Sequence, residues 1–344
     1  MTALKPWLFE FFHELHDEAP STDRNAVRAH FDWYLDLWTK MEARGFEGIF
    51  FSEHHFGAAY SPSPNLTIAA MAGRTSTLRL GSLGAVSTHT TPWRVVEEFA
   101  MLDHLTGGRL EMGVVAGIPP EMLAIGLSPA DAPARHSEIV DVLVAALADP
   151  VVTHHGQNWN LDNIRITPGF YQESPAVWTA VRSAASSERA GRLGWKAVAG
   201  FASTAAIAGF FDGYRGAAEA AGHSTDPDQL GIRRLVTIVD HPGDQDEARL
   251  LGKQSMLEVL NKSVGPLPPF ASVLDRPTGP SDGPLSDDEF VSGTASEVAE
   301  QLIEQCRTVG AANAVVMFGP TDPANIERHH RLFSDVVIPA LRRA

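Results

Sequence analysis

Glu53, His54 and His55 follow directly on Ile49-Phe50-Phe51, an apolar run that suits a strand buried on both faces. A carboxylate and two adjacent imidazoles at a strand end can move protons near neutral pH or hold a divalent metal ion. His13, Glu14 and His16 follow the apolar run 7–12 in the same way. A third group is of another kind: Arg182, Ser183, Ser186 and Ser187 open a helical stretch after the run 176–181. Unpaired backbone N–H groups and hydroxyls at a helix start seat an anion, and a guanidinium beside them strengthens the seat. Ordinary capping by the serines is the plainer alternative. These groups fit two chemistries. One is metal-dependent hydrolysis by His13, His16, His54 and His55. The other uses an organic cofactor anchored by its phosphate, with a histidine as acid or base. Spacing leaves both open.

The elements that must position these groups alternate along the chain. Runs at 7–12, 49–51, 78–86, 109–115, 176–181, 196–202, 231–239 and 312–318 read as strands. A helix is expected over 23–44, with Val27, Phe31, Tyr34, Leu35, Trp38 and Met41 on one face. Ser63-Pro64 and Thr91-Pro92 each read as a cap followed by Pro at the first helical position. Thr294 and Glu297 have the spacing of a capping box. The segment 150–174 is an excursion expected to form a small hairpin. The stretch 263–292, dense in Gly and Pro over 265–283, is expected to be a mobile lid before the last strand.

Eight such alternations predict an α/β fold, a single (β/α)8 TIM barrel over 1–344. An open doubly wound sheet fits less well, since no Gly-x-Gly-x-x-Gly follows a strand. In a parallel barrel the carboxyl ends of the strands share one face, which gathers the three polar groups at one mouth.

Composition narrows the partners. A formal net charge of −15 over 344 residues opposes nucleic-acid binding, because nothing offsets phosphate repulsion. Cys306 is the single cysteine, so neither a disulfide nor a cysteine metal site is expected. No apolar run reaches the roughly 18 residues of a membrane span, and the first residues lack a signal-peptide layout. The sequence predicts a cytoplasmic protein acting on small molecules, with no membrane partner.

Five motifs in order then carry a resemblance. They are Ser52-Glu53-His54-His55-Phe56, Arg79-Leu80-Gly81-Ser82, the run 92–98 (Pro-Trp-Arg-Val-Val-Glu-Glu), the run 101–113 (Met-Leu-Asp-His-Leu-Thr-Gly-Gly-Arg-Leu-Glu-Met-Gly) and Ser292-Gly293-Thr294-Ala295-Ser296-Glu297-Val298, with Ala295 where Pro is common. Over nearly its whole length the chain resembles the bacterial luciferase-like, flavin-dependent monooxygenases. That resemblance implies a barrel that takes reduced FMN from a separate flavin reductase. It also implies reaction of the flavin with O2 to a C4a-peroxyflavin, oxygenation of a small, largely apolar substrate, and a homodimer.

By position, the resemblance makes His54 the catalytic acid or base, with His55 and Glu53 as its supports. Leu83-Gly84 falls where the family has a non-proline cis peptide against the flavin. Ser183, Ser186 and Arg135 match phosphate-binding positions. At the end of strand four the family's catalytic chain has Arg preceded by Cys, whereas this chain has Val115-Ala116. Ala116 would therefore border the flavin without a charge, and Arg182 is expected to replace the missing cation. Alternatives are F420-dependent hydride transfer on the same barrel and a non-catalytic flavin-binding paralogue, the double histidine speaking against the latter.

Phe12, Phe56 and Tyr60 flank the motif loops and are expected to line the apolar substrate pocket. His89, on a loop at the same barrel end, is a further substrate candidate. His104 is expected to cap or pack, and His154-His155 and His329-His330 to lie on the surface.

Overall fold

The structure is a computed structural model that describes residues 3–12, 23–57, 59–264, 286–319 and 322–344, with the backbone alone for 258–264. The strands, in chain order, are β1 (Lys5–Glu10), β2 (Gly48–Phe51), β3 (Arg79–Ser82), β4 (Ala85–Val86), β5 (Leu110–Val115), β6 (Val151–His155), β7 (Asn160–Arg165), β8 (Val177–Val181), β9 (Lys196–Ala199), β10 (Leu230–Ile238), β11 (Phe290–Gly293) and β12 (Asn313–Phe318). Eight of them pair in parallel in the order β1-β2-β3-β5-β8-β9-β10-β12. The ring closes where Lys5 lies opposite Asn313. The expected TIM barrel is the observed one.

The helices outside the barrel are α1 (Arg24–Ala43), α2 (Pro64–Ala72), α3 (Pro92–Thr106), α4 (Pro119–Ala124), α5 (Ala132–Ala148), α6 (Ala184–Arg192), α7 (Thr204–Ala221), α8 (Gln245–Val264), α9 (Ala295–Val309), α10 (Pro323–Leu332) and α11 (Ile338–Arg343). Their ends follow from local chemistry. Pro stands in the first turn of α2 and α3, Thr294 and Glu297 close a capping box at α9, and Gly107 takes the left-handed conformation that ends α3. The buried face of α1 is Tyr34, Leu37, Trp38 and Met41. Among the described residues no helix is long and apolar enough to cross a membrane.

Side-chain alternation along the strands makes two cores. Trp7, Phe9, Phe50, Trp178, Val198, Leu235 and Val315 point into the barrel, while their neighbours Leu8, Ile49, Phe51, Val177, Val316 and Val236 pack under the helices. Trp7 stacks on Phe50 at 4.7 Å and meets Trp178 edge-on at 5.7 Å, plugging the barrel below the carboxyl ends. Gly48 makes room for that plug, since a Cβ there would lie 2.5 Å from the Trp7 ring.

The structure corrects several boundaries. The strand expected over 78–86 breaks into β3 and β4, with a cis Leu83–Gly84 bond between them. The 150–174 excursion is the antiparallel β6–β7 hairpin, as expected. Of the expected lid, 265–283 lies outside the described residues, but 286–292 forms a turn at Asp287–Glu289 leading into β11. Those residues are held because Phe290 and Val291 are buried. Leu235 pairs with both Phe290 and Met317, so β11 extends the edge of β10 above β9. His329 and His330 are buried rather than on the surface, because α10 lays them against Phe318, with His330 also against Phe46.

Candidate active site

A cavity of about 420 Å3 opens at the carboxyl ends of the strands. That is within the roughly 300–1,000 Å3 usual for small-molecule sites. One wall is the loop after β2, with Glu53 and His54; the next is Leu83-Gly84, then Val115-Ala116. Arg182, Ser183 and Ser186 form the rim after β8, and Phe9, Phe11, Phe201 and Arg233 form the far wall.

The loop after β2 is pinned before its side chains act. Ser52 N–H donates to the Glu10 carbonyl at 3.0 Å and His54 N–H to the Ser61 carbonyl at 3.2 Å. His54 Nδ1 is 3.1 Å from Glu121 Oε1, and that oxygen also accepts the His55 backbone N–H at 3.1 Å. Glu121 sits on α4 with no solvent exposure, and its Oε2 has no hydrogen-bond partner among the described residues. A buried carboxylate on Nδ1–H fixes the tautomer and leaves Nε2 as the nitrogen that can exchange a proton in the cavity. The His54 ring also lies 5.3 Å from Phe11, which limits its swing.

Behind this pair, His55 Nε2–H donates to Glu53 Oε1 at 2.9 Å, and Glu53 Oε2 accepts the Val86 N–H at 3.0 Å. The bond to Glu53 raises the His55 pKa against the opposing effect of burial. His89 stacks edge-on 5.1 Å from His55, and burial, aided by His55, lowers its pKa. Ligand atoms of Glu53, His55 and His89 come within 4.8 Å of one another, so these three could hold a divalent ion. Both Glu53 oxygens, however, already accept a hydrogen bond. Of the four-histidine hydrolase set, His54 turns to Glu121 and His55 to Glu53, and His13 and His16, with Glu14, lie outside the described residues.

The anion seat is a capped helix start. Ser183 Oγ accepts the Ser186 N–H at 3.3 Å, and Ser186 Oγ accepts the Ser183 N–H at 3.1 Å. Arg182 N–H also donates to Ser186 Oγ, at 3.2 Å. Ser183 is exposed at the cavity rim, and Ala184 and Ala185, next in the chain, are exposed as well. An arriving phosphate would meet the open N-terminal end of α6 there.

The other expected site residues fall elsewhere. Phe12 does not line the cavity; it is 1% exposed, its ring packed among Tyr34, Trp38 and Tyr60. Alternation along β1 sends Trp7 and Phe9 inward and Phe11 continues that face, but the chain leaves the strand after Glu10, and Phe12, with its backbone in the left-handed region at φ 54°, joins the outer cluster. Tyr60 belongs to the same outer cluster. Phe56 is 55% exposed beside His55. Arg135 is seated 4.7 Å over the Trp159 ring, with Nη2 against the Thr88 carbonyl, and is not on the cavity wall. His104, exposed on α3, reaches the Gly169 carbonyl at 3.0 Å and packs edge-on against Tyr171, so it ties α3 to the loop after β7 and does not cap a helix.

Glu121, Phe201 and Arg233 were not anticipated. Arg233-Arg234 inside an otherwise apolar strand was a legible anomaly, because charges are rarely placed in a strand buried on both faces. Nothing in local pattern marks Glu121.

A family model described as luciferase-like monooxygenase matches residues 9–313. The chain is 29% identical over 303 residues to the uncharacterized protein y4wF of Sinorhizobium fredii, covering 84% of this chain and 85% of that one. With several curated monooxygenases it aligns over only 38% to 52% of their length. The fold is similar to the oxygenating constituent of Pseudomonas putida 3,6-diketocamphane monooxygenase in complex with FMN, with a TM-score of 0.76, 20% identity and 98% of both chains covered. It is as similar to an F420-dependent secondary alcohol dehydrogenase holding an F420–acetone adduct, with a TM-score of 0.75, 17% identity and 99% and 100% covered.

Proposed function

The chain belongs to the luciferase-like monooxygenase family, and from that premise we propose that it is a two-component monooxygenase using reduced FMN and O2 on a small organic substrate. The observation that carries this reading is His54 held by buried Glu121 in the same cavity as the Ser183–Ser186 helix start. The cavity suits a flavin on its own terms. Gly84 and Ala116 bring little side-chain bulk to its wall, and the rim offers an anion seat where a ribityl phosphate would end.

Bound reduced FMN would supply electrons to O2 and so an activated oxygen atom for the substrate. The chain's own residues do the rest. Ser183, Ser186 and Arg182 hold the phosphate; Leu83, Gly84 and Ala116 border the ring. His54 moves a proton at Nε2, and Glu121 holds its ring in place through Nδ1. His55 and Glu53 brace the loop that carries His54. Phe9, Phe11 and Phe201 keep water from the reacting centre. A flavin reductase as partner, a homodimer and a cytoplasmic setting belong to the same proposal.

One observation favours a second reading, F420-dependent hydride transfer: the wall at Ala116 has no cation, and the rim at Ser183 is exposed enough for a longer phosphodiester tail. Anaerobic titration with FMNH2, then mixing with air-saturated buffer in a stopped-flow spectrophotometer, separates the two. The oxygenase reading expects saturable binding and slow reoxidation through a species distinct from free reduced and oxidised flavin. Reoxidation identical to that of free flavin overturns it, and the same titration with reduced F420 then tests hydride transfer.

A further inference from the structure

Arg233 stands at an inward-facing position in the body of β10, opposite Val315, and is only 5% exposed. Its guanidinium lies 4.0 Å from the Phe201 ring centre and 6.0 Å from that of Phe9. Nη2 donates to Glu289 Oε1, while Nη1, itself buried, has no hydrogen-bond partner among the described residues. Glu289 is shared: its Oε2 accepts Nη1–H of the fully buried Arg234 at 3.2 Å and the Phe201 N–H at 2.8 Å. Two buried guanidinium groups therefore face one buried carboxylate, and the next acid, Asp288, acts on Arg234 from an exposed position, so the buried positions carry one positive charge in excess. Burial works against both guanidinium charges. An excess buried charge with an unsatisfied donor on a cavity wall calls for an anion from the cavity.

We propose that Arg233 is the anion-recognition residue of the substrate, and that the substrate class is a small planar carboxylate, an arene or similar ring bearing a carboxylate. Its carboxylate approaches the Arg233 guanidinium from the cavity toward the unpartnered Nη1, which is itself buried, and its ring lies along Phe9, Phe11 and Phe201. The seat is separate from the phosphate seat, which lies on the exposed rim at Ser183, whereas Arg233 is deep in the barrel wall. Calling the ligand a substrate rests on the oxygenase reading; the binding itself does not.

The test titrates the purified protein with sodium benzoate and, separately, with benzamide as the uncharged counterpart, read by calorimetry at fixed ionic strength. A charge-assisted bond to a buried guanidinium should favour benzoate by about tenfold or more. Arg233→Met should abolish the preference, since Glu289 keeps Arg234 and the Phe201 N–H and the cluster becomes neutral. Arg233→Lys, which keeps the charge opposite Glu289 but not the planar fork, should retain part of it and carries the test if the Met variant fails to fold.

No preference in the wild type, or an undiminished one in both variants, overturns the proposal. Loss of the preference in Ser183→Ala/Ser186→Ala, with competition by inorganic phosphate, would place the anion on the rim and overturn it as well. So would weakened FMN binding in Arg233→Met with benzoate preference intact, which would give Arg233 to the flavin. Failure of the FMNH2 mixing experiment alongside a benzoate preference lost in Arg233→Met would sink the oxygenase reading alone.

Discussion

His54 Nδ1 and Glu121 Oε1 lie 3.1 Å apart across 67 positions of chain, and the same oxygen takes the His55 N–H. One buried carboxylate thus sets both the tautomer of His54 and the path of the loop that carries it. His54→Ala should fold normally and lower oxygenated product by on the order of 10²-fold, the usual size of a lost acid–base group. Glu121→Gln should lower it by a smaller factor, about tenfold, with FMN affinity unchanged. Single-turnover product yield and flavin titration on both variants check this; unchanged yield in His54→Ala removes His54 from the chemistry.

The phosphate seat makes a prediction that compares two ligands. Removing both hydroxyls in Ser183→Ala/Ser186→Ala should weaken FMN by about thirtyfold, from two lost hydrogen bonds of roughly 1 kcal/mol each. Riboflavin, which lacks the phosphate, should bind the variant and the parent alike. Equal loss for both ligands would mean that the serines only cap α6.

Stability is exposed at the join between β3 and β5. A Cβ on Gly113 would fall 1.8 Å from the Ser82 carbonyl oxygen, in backbone that cannot swing away. Gly113→Ala should cost about 1–3 kcal/mol or more, read as a lowered midpoint in urea or a lower Tm. A variant as stable as the parent would show that β3 and β5 are not packed as described.

Acid should unfold the protein partly through His136. Its Nδ1 lies 2.8 Å from Ser87 Oγ, and burial, with help from Arg189, pushes its pKa from 6.5 down to about 4. The folded value is the lower one, so between those limits the unfolded chain binds more protons. The contribution is therefore present above pH 6.5 and lost as pH falls toward 4, on the order of 3 kcal/mol in all. Urea midpoints across that range should fall less steeply in His136→Asn than in the parent. Parallel slopes would acquit His136.

Some of this was written locally in the chain. Continuous apolar runs such as Ile49-Phe50-Phe51, Ser-Pro and Thr-Pro helix starts, and the Thr294–Glu297 box each specify an element through neighbours within a turn or two. Eight such strands separated by helices leave a parallel barrel as the economical closure. From that follows the gathering of His54, Gly84, Ala116 and Ser183 at one mouth. The residues opposite them were decided only in three dimensions. Phe12 and Phe11 are neighbours in sequence, yet just past the end of β1 a left-handed backbone at Phe12 accompanies its ring under the helices while Phe11 goes to the cavity. Glu121 and Glu289 gain their roles from His54 and Arg233, 67 and 56 positions away. Local periodicity reports which face of an element is apolar; it carries no record of which distant charge that face will meet once the ring of strands has closed.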